Sequence, residues 1–353
     1  MSSATARTET ASWDVSRESR GRPDRAAMTT KHDPIRNISN SIDALEPSEA
    51  LAYIFPGQGS QGVGMARDVA ESSGSARRFF EVGNEVLGFD LRGLCFEGPE
   101  EELTVTSNAQ PAILTASLAL LAAGLESGTL NRRPAYMAGH SLGQYTALVA
   151  AGSMSFEEAL QLVRERGLLM EAAGRERPGT MAAIVGLDQS TVAEICDESG
   201  AEPANYNLES QVVVGGEPNA VERARELAKE RGGKGLPIKV SGAFHTSLMR
   251  PAADKMGAVL EGTVTVDGIV PVISNVTAEP VVAGEATLND LQLQIISPVR
   301  WHQSIDLMLK KRVKTFVEIG PGKVLTTMLK RHPAEFEMIT LNSAEAMARP
   351  ANV

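Results

Sequence analysis

The sequence predicts an α/β protein: a parallel sheet covered by helices on both faces, carrying one small inserted unit. Three observations lead there. Short apolar runs such as Leu51–Phe55 and Ala135–Gly139 each feed into a helical stretch, the alternation of a parallel sheet. After Pro178-Gly179 the order changes to strand-helix-strand-strand-helix-strand, the split βαβ or ferredoxin-like unit (βαββαβ). From Gly242 the first pattern resumes.

Residues 1–49 are rich in Ser, Thr, Arg, Asp and Pro and lack apolar periodicity, so they read as a disordered N-terminal extension, with Met28 as an internal candidate start. Seven basic and eight acidic residues, with no apolar core to the segment, fit neither a secretory leader nor a transit peptide. Leu51–Phe55 stops at Pro56-Gly57, a buried strand entering a loop. Glu71–Leu87 has helical spacing, and Pro111–Gly124 is an Ala/Leu-rich helix apolar on most faces. Ala135–Gly139 is a strand, Leu142–Ala151 a helix closed by Gly152, and Phe156–Ala173 a long amphipathic helix. The insertion, 179–241, holds strand Met181–Leu187, helix Gln189–Glu198, strands Ala204–Asn207 and Gln211–Gly215, helix Val221–Arg231 and strand Gly235–Val240. The body, 50–178 and 242–345, continues with helix Thr246–Glu261, strand Val270–Asn275, helix Trp301–Lys310 and strand Thr315–Ile319. Residues 346–353 read as a C-terminal tail.

Of 353 residues, 42% are hydrophobic and 22% charged, which fits a globular chain and not a disordered one. Forty-four acidic against 34 basic residues leave a net charge of −10 without a basic tract, so no nucleic acid partner is expected. The apolar stretches are interrupted too soon to span a bilayer, so no membrane is expected either. Cys95 and Cys196 are too few for a disulfide framework or a zinc site, and they fit a reducing, cytoplasmic compartment.

Gly139-His140-Ser141-Leu142-Gly143 lies between a strand and a helix, the context of a nucleophile elbow. Its glycines permit a sharp turn that lifts the serine hydroxyl to a helix N-terminus. Gly57-Gln58-Gly59-Ser60-Gln61-Gly62 matches a dinucleotide fingerprint in spelling, but the second strand such a site needs is missing. A loop whose amides face the serine suits it better, because acyl transfer needs donors where the carbonyl oxygen becomes negative. Of the five histidines, His32 lies in the extension, His302 at a helix start and His332 in a charged stretch. His140 adjoins the serine, so the two side chains diverge across the turn. His245 remains as general base, in Ala243-Phe244-His245, where the insertion rejoins the body at the edge of a cleft. Arg166 is either solvated surface or, turned inward, a bidentate carboxylate binder that Lys could not replace.

Six segments occur in one order: Phe55-Pro56-Gly57-Gln58-Gly59-Ser60-Gln61, Gln110-Pro111-Ala112, Gly139–Gly143, Arg166-Gly167, Ala243-Phe244-His245 and Glu318-Ile319-Gly320-Pro321-Gly322-Lys323. Together they closely resemble the malonyl-CoA:acyl carrier protein transacylases of bacterial fatty acid synthesis, over about Leu51 to Asn342. The resemblance implies a hydrolase-like α/β body with the ferredoxin-like insertion. It implies ping-pong transfer of malonyl from malonyl-CoA to the phosphopantetheine thiol of acyl carrier protein through a malonyl-serine, with no tightly bound cofactor and no metal. Ser141 would be the nucleophile, His245 its base, and the backbone amides of Gln58 and Leu142 the oxyanion hole. Arg166 would hold the malonyl carboxylate, with Gln110 and His140 lining the pocket. The base would be oriented by a main-chain carbonyl, the matching segment being Ser297-Pro298-Val299-Arg300-Trp301. Phe244 resembles the residue that crowds out an α-methyl branch in malonyl-selecting polyketide acyltransferases, a discrimination of about 1–3 kcal/mol.

Two positions depart from the family. Gln144 stands where Glu is frequent, and Asn207-Leu208-Glu209-Ser210-Gln211 lacks the usual Pro. The carrier protein is acidic, as is this chain, so docking needs a local basic patch, for which Lys234, Lys330 and Arg331 are candidates. Three other readings stand beside this one: a trans-acting malonyl acyltransferase of a polyketide pathway, a serine thioesterase, and an idle interaction module. A thioesterase would place an acid before the histidine, and no Asp or Glu sits at an obvious strand end between Ser141 and His245. The module is disfavoured because every residue the chemistry needs is present.

Overall fold

The computed structural model describes residues 34–281 and 284–348. Its strands are β1 Glu46–Phe55, β2 Arg132–Gly139, β3 Thr180–Val185, β4 Glu202–Leu208, β5 Gln211–Gly216, β6 Lys234–Ile238, β7 Val272–Ile273, β8 Thr315–Ile319 and β9 Glu337–Leu341. Five form a parallel sheet in the order β7-β2-β1-β8-β9. The central strand β1 is buried from Leu51 to Phe55, which is why that stretch is continuously apolar and not alternating. The other four form an antiparallel sheet in the order β4-β5-β3-β6, with helices Gln189–Ser199 and Pro218–Glu230 between its strands. Asp188 starts the first of these helices by accepting from the Thr191 N–H at 2.7 Å, and Gly200 ends it in the left-handed region. The small sheet is tied to the body at its edge: Tyr206 N–H donates to Val299 O at 2.8 Å, and Val299 N–H to Ala204 O at 2.9 Å.

Helix Thr106–Glu126 is buried almost all round, as its Ala/Leu composition requires. By length and composition it could cross a membrane, which corrects the expectation that apolar stretches here are too short; 89% of that apolar window is buried inside the fold. The stretch 71–87 is two helices, Arg67–Ser72 and Gly74–Leu87. Ser73 between them is extended, and its hydroxyl caps the second helix by accepting from Ala76 N–H at 3.0 Å. At the end of β8 the buried carboxylate of Glu318 accepts from the N–H groups of Leu325 (2.9 Å) and Thr326 (2.7 Å), fastening helix Val324–Leu329 to the sheet.

The expected boundaries move at both ends. Residues 1–33 and 349–353 lie outside the described residues. Residues 34–49 are not a disordered extension: Pro34–Asp43 is a helix and β1 begins at Glu46. Ile38 and Ile42, spaced i,i+4, are 4% and 0% exposed and dock one narrow face onto the core. Three isoleucines among ten residues, Ile35, Ile38 and Ile42, are a weak signal beside the polar residues around them, yet Ile38 and Ile42 suffice to bury one face of a short helix. At the other end, 346–353 is not wholly a tail, since helix Ala344–Met347 continues the body and the Met347 carbonyl accepts from the Thr129 hydroxyl at 2.8 Å.

Ile42→Ala should lower the unfolding free energy by about 2–5 kcal/mol, read as a drop in the urea midpoint at constant slope. An unchanged midpoint would put 34–49 outside the cooperative fold.

Candidate active site

The turn between β2 and helix Gly143–Ala150 is set by steric exclusion. A Cβ on Gly139 would lie 1.8 Å from the carbonyl carbon of Gly143, and one on Gly143 would lie 2.2 Å from the Phe55 oxygen. Ser141 sits between them at φ 52°, in the left-handed region that side chains avoid. Asn275 clamps the strained turn from below: its Oδ1 accepts from Ser141 N–H and its Nδ2 donates to Gly139 O, both at 2.7 Å.

Ser141 Oγ lies 2.8 Å from His245 Nε2, and His245 Nδ1 lies 2.7 Å from the Gln294 carbonyl oxygen. The carbonyl can only accept, so Nδ1 carries the proton and Nε2 faces the hydroxyl with its lone pair. The principal orienting carbonyl therefore precedes the expected 297–301 segment by three residues, although the Ser297 backbone adds a lesser contact. Gln294 closes helix Glu285–Leu293, where carbonyls have no partner within the helix and are free for His245.

Arg166 is 1% exposed. It donates to Gln110 Oε1 (2.8 Å), Gln294 Oε1 (3.0 Å) and Ser141 Oγ (3.1 Å), and its guanidinium carbon lies 5.7 Å from the Tyr145 ring centre. Its Nε is buried without a partner, and no carboxylate pairs with it among the described residues. His140 points away from Ser141, with Nε2 at 2.9 Å from Asn207 Oδ1 and its ring against Trp301. The N–H groups of Gln58 and Leu142 have no protein acceptor among the described residues. Both residues line a cleft of about 830 Å³ between body and small sheet, as do Gln110, His140, Arg166 and Phe244.

The acyl transferase domain family matches residues 52–349. The chain is 44% identical to the malonyl CoA-acyl carrier protein transacylase of Bacillus subtilis strain 168, over 84% of this chain and 95% of that protein. The chain belongs to the malonyl CoA-acyl carrier protein transacylase family. Its Escherichia coli K12 relative of the same name is 43% identical over 84% and 97% of the two chains. Among solved structures, a malonyl-transacylase in complex with a type II PKS acyl-carrier protein aligns with TM-score 0.81 at 40% identity, covering 84% of this chain and 97% of the other. FabD from Acinetobacter baumannii aligns with TM-score 0.81 at 39% identity, covering 85% and 96%.

Five of the six segments thus meet at one cleft, and the sixth, 318–323, packs behind it, with Gly320 against Pro56 and Gly322 against Ser60; Lys234 does not reach it. It begins β6, whose opposite end leads into the lining residues Ile238 and Lys239. Lys330 and Arg331 are exposed just beyond helix Val324–Leu329, whose Val324, Leu325 and Met328 line the cleft. Lys239 and Arg175, not singled out from sequence, also stand at its wall. Gln294 and Asn275 escaped notice as well, since neutral amides far along the chain carry no spacing signal. His302, Asp306 and His332 form a second cluster, with ligand-type atoms within 4.8 Å of one another. There His332 Nδ1 accepts from Ala334 N–H at 3.1 Å, so its proton sits on Nε2, 3.2 Å from Asp306, and leaves no lone pair for a metal. The cluster fastens the lobes, because His302 also reaches Glu209 of the β4–β5 turn at 3.3 Å.

Burial and the neighbouring Arg166 charge pull His245 down to about 3, against the opposing pull of the Gln294 carbonyl. A neutral imidazole is the form that accepts a proton, so acidification disables the site only near that lowered value. Between pH 7.5 and 5.5 the kcat/KM for enzyme acylation should fall by less than about twofold, whereas an unshifted histidine would lose about tenfold. Stopped-flow acylation across that range, with folding monitored by circular dichroism, checks it.

Proposed function

We propose that this chain transfers malonyl from malonyl-CoA to the phosphopantetheine thiol of acyl carrier protein, with Ser141 as the nucleophile, supplying extender units for fatty acid synthesis. The observation that carries the reading is a Ser141–His245 contact of 2.8 Å beside a buried guanidinium that has no carboxylate partner among the described residues.

In the first half-reaction Ser141 Oγ attacks the thioester carbonyl and its proton passes to His245 Nε2. The carbonyl oxygen, now negative, accepts from the N–H groups of Gln58 and Leu142. The C–S bond breaks and the CoA sulfur takes the proton from His245. In the second half-reaction the carrier's thiol gives its proton to the same nitrogen and its sulfur attacks the malonyl-serine. The C–Oγ bond then breaks, and Oγ recovers the proton. No tightly bound cofactor enters these steps, and a CoA thioester substrate fits a cytoplasmic enzyme.

Arg166 has two effects on selectivity. A malonyl carboxylate gives the buried cation the partner it lacks, which acetyl cannot do. It also offsets a charge that weakens His245 as a base, so the correct substrate strengthens the group that activates the serine. Phe244, 7% exposed beside His245, narrows the space for an α-branch. For carrier docking, Lys330, Arg331, Lys239 and Arg175 supply positive charge around the cleft of an acidic chain.

Intact-mass measurement after mixing with malonyl-CoA should show one malonyl adduct, absent in Ser141→Ala; an adduct that survives there refutes the nucleophile. Arg166→Ala should lower the malonyl-CoA kcat/KM about 10- to 100-fold, with acetyl-CoA losing less, the scale of a charge-assisted contact. Full retention of malonyl preference would remove Arg166 from that role. Lys330→Glu with Arg331→Glu should slow transfer to carrier protein by roughly 3- to 10-fold, leaving acylation by malonyl-CoA unchanged.

A further inference from the structure

Behind the cleft lies a chain of buried polar side chains that the reaction itself does not use. Gln144, Asn275 and Gln294 are fully buried, and Asp290, on helix Glu285–Leu293, is 8% exposed. Asp290 Oδ2 accepts from Gln144 Nε2 at 2.6 Å. Its Oδ1 pairs with the Ser274 hydroxyl, whose oxygen already accepts from Val276 and Thr277 N–H at 3.0 Å, so the hydroxyl proton goes to Asp290. Burial raises the Asp290 carboxyl and these two donors pull it back.

An amide has two ends of nearly equal shape and opposite chemistry, so its orientation must be imposed by its neighbours. With its NH2 on Asp290, Gln144 turns Oε1 to Asn275 N–H (2.9 Å) and Gln294 Nε2 (3.0 Å). Gln144 Oε1 joins two other acceptors in fixing Gln294: its Nε2 also donates to Ser141 O at 3.0 Å and to Asn275 Oδ1 at 3.2 Å, and its Oε1 is left to accept from Arg166 at 3.0 Å. A flipped Gln144 would set an acceptor against a carboxylate, and a flipped Gln294 would set NH2 against a guanidinium. Gln144 is thus held from both ends, by the Asp290 carboxylate and by the Asn275 N–H, and Asp290 supplies the charged acceptor of the network. Gln144 sits on the helix that follows the elbow, and the carboxylate reaches it from a different helix.

We propose that Asp290 is a positioning residue: through the amide orientations of Gln144 and Gln294 it holds the Arg166 guanidinium in place for the substrate carboxylate. This rests on the carboxylate-binding role of Arg166 proposed above. The network has a transposed form that keeps every downstream orientation. In Gln144→Glu with Asp290→Asn, the new carboxylate would accept from the new amide, from Asn275 N–H and from Gln294 Nε2.

The test compares acylation by malonyl-CoA and acetyl-CoA in four proteins: wild type, Asp290→Leu, the transposed double variant and Arg166→Ala. Asp290→Leu should lower the malonyl-to-acetyl ratio of kcat/KM by at least about tenfold, mainly by raising the KM for malonyl-CoA. The transposed variant should recover the ratio to within about threefold. If Asp290→Leu does not fold, Asp290→Ser, too short to reach Gln144, takes its place. Equal losses with both thioesters, or a transposed variant no better than the single one, overturn the proposal by showing only a structural role. If Arg166→Ala loses the preference while the Asp290 variant keeps it, the proposal alone fails. If Arg166→Ala keeps the preference, the carboxylate-binding role and the proposal fall together.

Discussion

The approach of the elbow to the end of β1 is the constraint on which the rest of the site depends. Gly143 comes so close to the Phe55 carbonyl that no side chain fits, and His140 N–H donates to that same oxygen at 3.0 Å. Two segments far apart in sequence are thereby fixed against each other: the loop that carries Gln58 and the turn that carries Ser141. The left-handed backbone at Ser141 costs of order 1–3 kcal/mol and persists because Asn275 and Gln294 hold its amide and its carbonyl. A serine hydroxyl raised clear of the sheet, with unpaired amides nearby, follows from that packing.

The electrostatics of the cleft are arranged around one buried cation held by neutral groups. Two glutamine oxygens and a serine hydroxyl orient Arg166 without neutralising it. A fixed protein carboxylate at this point would satisfy the charge permanently and compete with a substrate for it. The same unneutralised charge explains why the histidine needs no acid behind it. A main-chain carbonyl fixes its tautomer, and a buried anion there would pair with the Arg166 cation.

Much of the layout was legible in sequence because Pro and Gly punctuate it. Helix Trp301–Lys310 and strand Thr315–Ile319 have the bounds expected of them, and the insertion lies between Pro178-Gly179 and Gly242. Helices Leu91–Glu97 and Glu285–Leu293 and strand β9 were not seen, being short, or half-exposed with weak periodicity. In the site, Ser141, His245 and Arg166 stood out because charge, nucleophilicity or basicity is a property of a residue type. Asn275 and Gln294 did not. They act through neutral amides 134 and 153 residues away from Ser141, and only the folded chain brings them under the turn. The helix at 34–43 was lost for a different reason: its three isoleucines, at helical spacing, lie at the end of a long polar segment whose overall composition is that of a solvated chain.

The seam between the lobes has a consequence for anyone who recombines such proteins. The chain crosses into the small sheet and back only near 179 and 241, which makes those positions tempting cut points for a chimaera. Yet the sheet's edge is hydrogen-bonded to Val299, Asn207 holds His140, Glu209 meets His302, and Gln211 accepts from Arg331. A transplanted lobe would leave these counterparts behind in the donor's body. The unit of exchange is therefore the lobe together with His140, 299–302 and 331, a module that is discontinuous in sequence.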